Sequence, residues 1–169
     1  MSSDRNLVIP ILLILIGVGG LFFFTYDSPG NLKPIWGSDL KTNFQSNGER
    51  IYYTGYNDMG ERIPTTQGPM WLYMHGGGCV DCHGVNGRGG VPVMMGEEIP
   101  PDITYDALTG EHGAEHGAEE EHPPYTDETI KTAIKDGLNP AGEPLDPTMP
   151  RWQISDTELD DMLEYLKTL

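Results

Sequence analysis

The chain has only two cysteines among its 169 residues, so no disulfide framework can hold it together and no structural disulfide is expected. Basic residues are scarce too, with 10 Lys and Arg against 26 Asp and Glu and a formal charge of −16. No nucleic-acid partner is expected of such a surface, because phosphate backbones are bound through clustered Lys and Arg. Runs that would read as buried parallel strands are missing. Hydrophobic residues make up 37%, beside 14 Pro and 22 Gly, which implies one domain of short helices joined by long loops, plus an appendage. The expected fold class is all-α.

The two cysteines are concentrated in one place, Cys79-Val80-Asp81-Cys82-His83. Two thiols separated by two residues lie on one helical turn, and a histidine directly after the second reads as a c-type haem attachment motif. Each thiol would form a thioether with a vinyl group of the same porphyrin, which leaves the imidazole of His83 beneath the iron as proximal ligand. The porphyrin would then supply much of the core that the composition lacks. Two other readings compete, a redox dithiol and half of a zinc site. The first lacks the βαβ pattern that accompanies it, and the second would need further ligands from the scattered His75, His112, His116 and His122.

Gly78 to Gly84, followed late in the chain by Thr148-Met149-Pro150-Arg151-Trp152 and a short final helix, resembles the class I c-type cytochromes over roughly residues 47–169. The resemblance implies a small helical fold, one covalently bound haem c and electron transfer. It also implies a first helix near Asn47–Tyr53, in which a glycine and an aromatic four residues on, here Gly48 and Tyr52, allow close crossing against the last helix. This chain departs from the family between Tyr53 and Cys79, where 25 residues intervene. They include a turn around Met59-Gly60, and Met70–His75 is an alternative site for the first helix. In the family a proline carbonyl after the motif accepts the Nδ1 proton of the proximal histidine. Pro100 or Pro101 is the candidate here, with Pro92 in reserve and an ordinary loop proline as the alternative. Gly84, Gly87, Gly89 and Gly90 are expected to let the backbone pass close to the porphyrin.

Residues 7–26 carry no charge over 20 positions, enough to cross a hydrocarbon core of about 30 Å. They read as an uncleaved transmembrane anchor, since Leu21-Phe22-Phe23-Phe24 is bulky where a signal peptidase requires small residues. Residues 1–6 would be a cytoplasmic tail, 27–46 a linker and 47–169 the haem domain. Because c-type haems are attached outside the cytoplasm, the resemblance implies a single-pass protein of the cytoplasmic membrane with its haem domain on the periplasmic or extracytoplasmic side.

The tract 111–122 repeats Glu-His-Gly-Ala. Its imidazoles and carboxylates could bind a divalent metal, but its composition fits a solvated acidic insertion better. Thr126 caps a helix carrying Ile130, Ala133 and Ile134 and ended by Gly137. Ser155-Asp156-Thr157-Glu158 is a capping box before Leu159, Met162, Leu163 and Leu166 at helical spacing. The loop between these helices is too rich in proline to be helical, and it presents Met149, which the resemblance makes the distal iron ligand. Met94 and Met95 follow His83 too closely to reach the opposite haem face, and His75 is the rival among the histidines.

With both axial positions taken by protein, the expected function is one-electron transfer in a respiratory chain, as a tethered carrier or as the cytochrome c subunit of a membrane complex. No catalytic residue and no small-molecule substrate are expected, and the partners are redox proteins. A haem enzyme or gas sensor with a labile sixth ligand, and a nonhaem metal-binding module, are the alternatives. From Glu97 to Glu128 there are 11 carboxylates and no Lys or Arg; this charge serves solubility, or steers docking onto a basic partner.

Overall fold

The computed structural model describes residues 41–92, 98–110 and 122–169. The apolar run 7–26, most of the expected linker, Met94, Met95, His112 and His116 lie outside them. Among the described residues no helix is long and apolar enough to cross a membrane. Residues 41–169 form one compact unit, built on six helices of four to eleven residues, the fourth of which, α4, is Tyr105–Thr109, and one two-residue strand pair among the described residues.

The first helix, α1, spans Asn47–Thr54. It begins where the Ser46 hydroxyl accepts the Glu49 amide at 3.1 Å. It ends at Gly55, whose left-handed backbone returns an N–H to the Ile51 carbonyl at 2.8 Å. The last helix, α6 (Asp156–Leu166), opens with the expected capping box. The Ser155 hydroxyl accepts the Glu158 amide at 3.3 Å, and the Ser155 amide donates to Glu158 Oε2 at 3.0 Å.

These two helices cross at Gly48. A Cβ there would lie 1.9 Å from the Asp161 carbonyl oxygen, so only glycine lets the backbones meet at this distance. One turn on, Tyr52 is fully buried, its ring centroid 5.2 Å from that of Tyr165. Around this crossing Ile51, Leu159, Met162, Leu163 and Leu166 form the core with Ile130, Ala133 and Ile134. The last three come from α5 (Asp127–Lys135), capped by Thr126 and followed by Gly137 at φ +68.

The intervening segment resolves the choice between the two first-helix placements, because both helices exist. The chain leaves α1, turns at Asn57–Gly60 and pairs Tyr56 with Arg62. It then forms β1 (Thr65–Thr66) before the short helix α2, Met70–His75. The strand departs from the all-α expectation: β1 pairs antiparallel with β2 (Arg151–Trp152), Thr65 opposite Trp152 and Thr66 opposite Arg151. The residues inserted before the cysteine motif are thus stitched to the segment just after Met149.

Residues 41–46, assigned to the linker, lie along α1. Lys41 forms an ion pair with the buried Glu49, and the Gln45 amide donates to Glu49 Oε2 at 2.6 Å. Phe44 sits 6.2 Å from the Tyr53 ring and under Arg50. The apolar and ionic contacts of these residues explain why the compact unit begins at Lys41 rather than at Asn47.

Candidate haem-attachment site

The motif forms a single turn, α3 (Val80–His83), with Cys79 as its first cap. The Cys79 carbonyl accepts both the Cys82 amide at 3.1 Å and the His83 amide at 2.8 Å, which holds the two sulfurs and the imidazole on one turn of backbone. The Asp81 carboxylate accepts the Gly78 amide at 2.9 Å and closes the turn from its start. From α1, the Tyr52 hydroxyl donates to the Gly84 carbonyl at 2.7 Å. Burial pushes the Tyr52 phenol well above its ordinary range, so it remains a donor.

His83 is 5% exposed, and its Nδ1 lies 3.0 Å from the Pro101 carbonyl oxygen. A carbonyl only accepts, so Nδ1 carries the proton, which leaves Nε2 as the nitrogen that a neutral ring would offer to iron. Of the three candidate prolines, Pro101 is the one that orients the ring. The neighbouring Pro100 carbonyl accepts the Gly90 amide at 2.9 Å instead.

Two of the glycines after the motif pack against the proline segment. Gly89, at φ +53, closes directly on this proline segment: a Cβ would stand 2.1 Å from the Pro100 oxygen. The Ile103 amide donates to the Gly87 carbonyl at 2.7 Å. These contacts hold the Pro100–Thr104 backbone against the turn and thereby aim the Pro101 carbonyl at His83.

Cys79 and Cys82 are half-buried and form no disulfide, and Cys79 and Val80 pack on the hydrophobic core. Burial pushes the Cys79 thiol up to about 12 and the Cys82 thiol up to about 11. A redox dithiol needs the opposite, a thiol held near or below neutrality. Two ligands that the zinc reading would draw on, His112 and His116, lie outside the described residues; among those described, no group of three or more His, Cys, Asp or Glu is placed to hold a metal ion. His122 is buried with its Nδ1 2.9 Å from the Pro123 carbonyl and its ring edge-on to Tyr125. His75 is exposed at the end of α2, where it lines a groove with Trp71 and Cys82. A covalent porphyrin fits what is present: apolar surroundings for two sulfurs on one turn, and an imidazole whose second nitrogen is already committed.

Met149 is half-buried at the end of a turn whose ring is closed by its amide, which donates to the Asp146 carbonyl at 3.0 Å. The Asp146 carboxylate accepts the Thr148 amide at 2.7 Å and holds the same turn. The sequence reading gave Arg151 no role, yet it is buried behind this loop with its guanidinium on backbone carbonyls.

No curated protein and no solved structure matches the chain. The cytochrome c family model does match, over residues 72–169, from within α2 through the motif turn, the Met149 loop and α6. That span is more than half of the chain and contains the turn, the buried imidazole and the proline carbonyl just described; the protein therefore belongs to the cytochrome c family, with Cys79, Cys82 and His83 as the residues for one covalently bound haem c.

Proposed function

We propose that this cytochrome c family electron-transfer protein is a membrane-tethered, monohaem carrier or complex subunit of a respiratory chain, with the class I fold and with iron held between His83 and Met149. When bound, haem c supplies reversible one-electron exchange. The observation that carries the reading is the 3.0 Å contact of His83 Nδ1 with the Pro101 carbonyl, which orients the imidazole and raises its basicity as an axial ligand. Cys79 and Cys82 keep the group from dissociating. The soft thioether of Met149 favours the ferrous state and raises the potential above that of a bis-nitrogen site. Two protein ligands leave no position for a substrate, so the site is suited to electron transfer rather than to catalysis.

The uncharged stretch 7–26 supports a single-pass anchor in the cytoplasmic membrane, with the haem domain on the periplasmic or extracytoplasmic side. Replacing residues 1–26 by a cleavable export signal should move the protein from the membrane to the soluble fraction with an unchanged visible spectrum. Continued sedimentation with membranes, or failure to acquire haem, would contradict a purely anchoring role. The charge of −16 supports redox partners with a basic docking face. Electron transfer from a freely diffusing partner should slow as the Debye length contracts from about 30 Å at 0.01 M salt to about 10 Å at 0.1 M, and Glu119, Glu120 and Glu121 changed to Gln should flatten that dependence. A rate flat with salt in the parent would contradict steering and favour a fixed subunit.

A further inference from the structure

The loop that carries Met149 is gathered around one buried cation. Arg151 is 8% exposed. Its Nη2 donates to the Leu145 carbonyl at 2.6 Å, and its Nη1 donates to the Asp146 carbonyl at 3.2 Å and to the Met149 carbonyl. Three oxygens from Leu145 to Met149 therefore converge on one guanidinium. A planar fork of five N–H donors can span them, which a lysine ammonium cannot do in the same way. The space is reserved for it by Gly137, where a Cβ would stand 1.7 Å from Arg151 Nε. Burial lowers the Arg151 pKa, with Asp146 acting in the opposite direction. Removing a charge from water is costly unless it is well hydrogen-bonded, and here the carbonyls provide that compensation.

The outer side of the same loop is fixed as well. The Gly68 amide donates to the Pro147 carbonyl at 2.9 Å, and the Arg151 backbone pairs with Thr66 in β1. The loop is thus held from inside by a side chain and from outside by the inserted segment. A thioether offered to iron from this loop would be exchanged for a stronger donor more readily the more freely the loop could move. A loop whose carbonyls are tied to one buried group has few other places to go, which is the way preorganisation strengthens a contact.

We infer that Arg151 is the positioning residue of the distal ligand: by tying the Leu145, Asp146 and Met149 carbonyls together it holds the Met149 sulfur in place and sets how readily a competing ligand displaces it. The inference rests on Met149 being the sixth ligand.

The test is imidazole binding to the ferric, haem-bearing full-length protein, followed by loss of the methionine–iron charge-transfer band. Arg151→Gln should bind imidazole about tenfold more tightly than the parent, the ratio expected for losing one charge-assisted hydrogen bond. The band should also disappear at a lower pH. Arg151→Lys should fall between the two and keeps the experiment decisive if the glutamine variant does not fold. Thr126→Ala, which removes the cap at the start of α5, at the end away from Gly137 and from both the motif turn and this loop, is the control for general loss of stability and should bind imidazole as the parent does. Equal binding by the parent and the Arg151 variants would overturn the role of Arg151 while leaving Met149 as ligand. The same would follow if Thr126→Ala bound imidazole as tightly as Arg151→Gln. A parent lacking the methionine–iron band would overturn both readings together.

Discussion

Replacing Met149 by alanine is expected to turn a closed low-spin haem protein into one that binds carbon monoxide stoichiometrically, while haem remains covalently attached. The two outcomes separate because attachment depends on Cys79 and Cys82, which sit on the α3 turn. Met149 belongs to a turn 66 positions later in the chain than His83. The Asp146 carboxylate and the Arg151 guanidinium still hold that turn in the variant, so the shortened side chain leaves a gap rather than a collapsed loop. Met149→His should remain low-spin with a lower reduction potential, because a nitrogen donor favours ferric iron more than a thioether does. A Met149→Ala protein whose ferric spectrum and carbon monoxide response match the parent would assign the sixth position elsewhere, with His75 the first alternative.

Gly48→Ala is expected to destabilise the domain by about 3 kcal/mol, a large part of the roughly 5–15 kcal/mol that keeps a domain folded. In an isolated helix this change would stabilise by about 1 kcal/mol. Here the new Cβ would lie 1.9 Å from the Asp161 carbonyl oxygen and 2.9 Å from the Met162 amide nitrogen. Neither is a flexible side chain that can swing away, so α1 and α6 must separate. Their separation loosens the Tyr52–Tyr165 contact and the Tyr52 hydroxyl bond to Gly84, next to His83. The loss is measured by denaturant unfolding of the haem-bearing protein. An unchanged midpoint would mean that the helices do not meet at Gly48.

The features legible in the sequence were those whose physics is local. Cys79, Cys82 and His83 are neighbours, and Ser155 with Glu158 and Thr126 with Ile130, Ala133 and Ile134 announce their helices within a few residues. Gly48 and Tyr52 were readable through the family resemblance, although their partners, Asp161 and Tyr165, are more than a hundred residues away. What escaped was long-range and small. A two-residue strand has no periodicity to detect, and Thr65–Thr66 gains its meaning only from Arg151–Trp152. The choice of Pro101 over Pro100 depends on how Gly89 closes against that segment. Arg151 resembles an ordinary surface cation in sequence, and its role arises from the carbonyls that a proline-rich loop leaves without helical partners.

Iron held between His83 and Met149 should be visible in methionine-methyl NMR of the ferrous protein. One of the eight methionine methyls should be shifted far upfield by the porphyrin ring current, and this signal should vanish in Met149→Leu. A spectrum with every methionine methyl in its ordinary range, or with the shifted signal surviving in Met149→Leu, would contradict it.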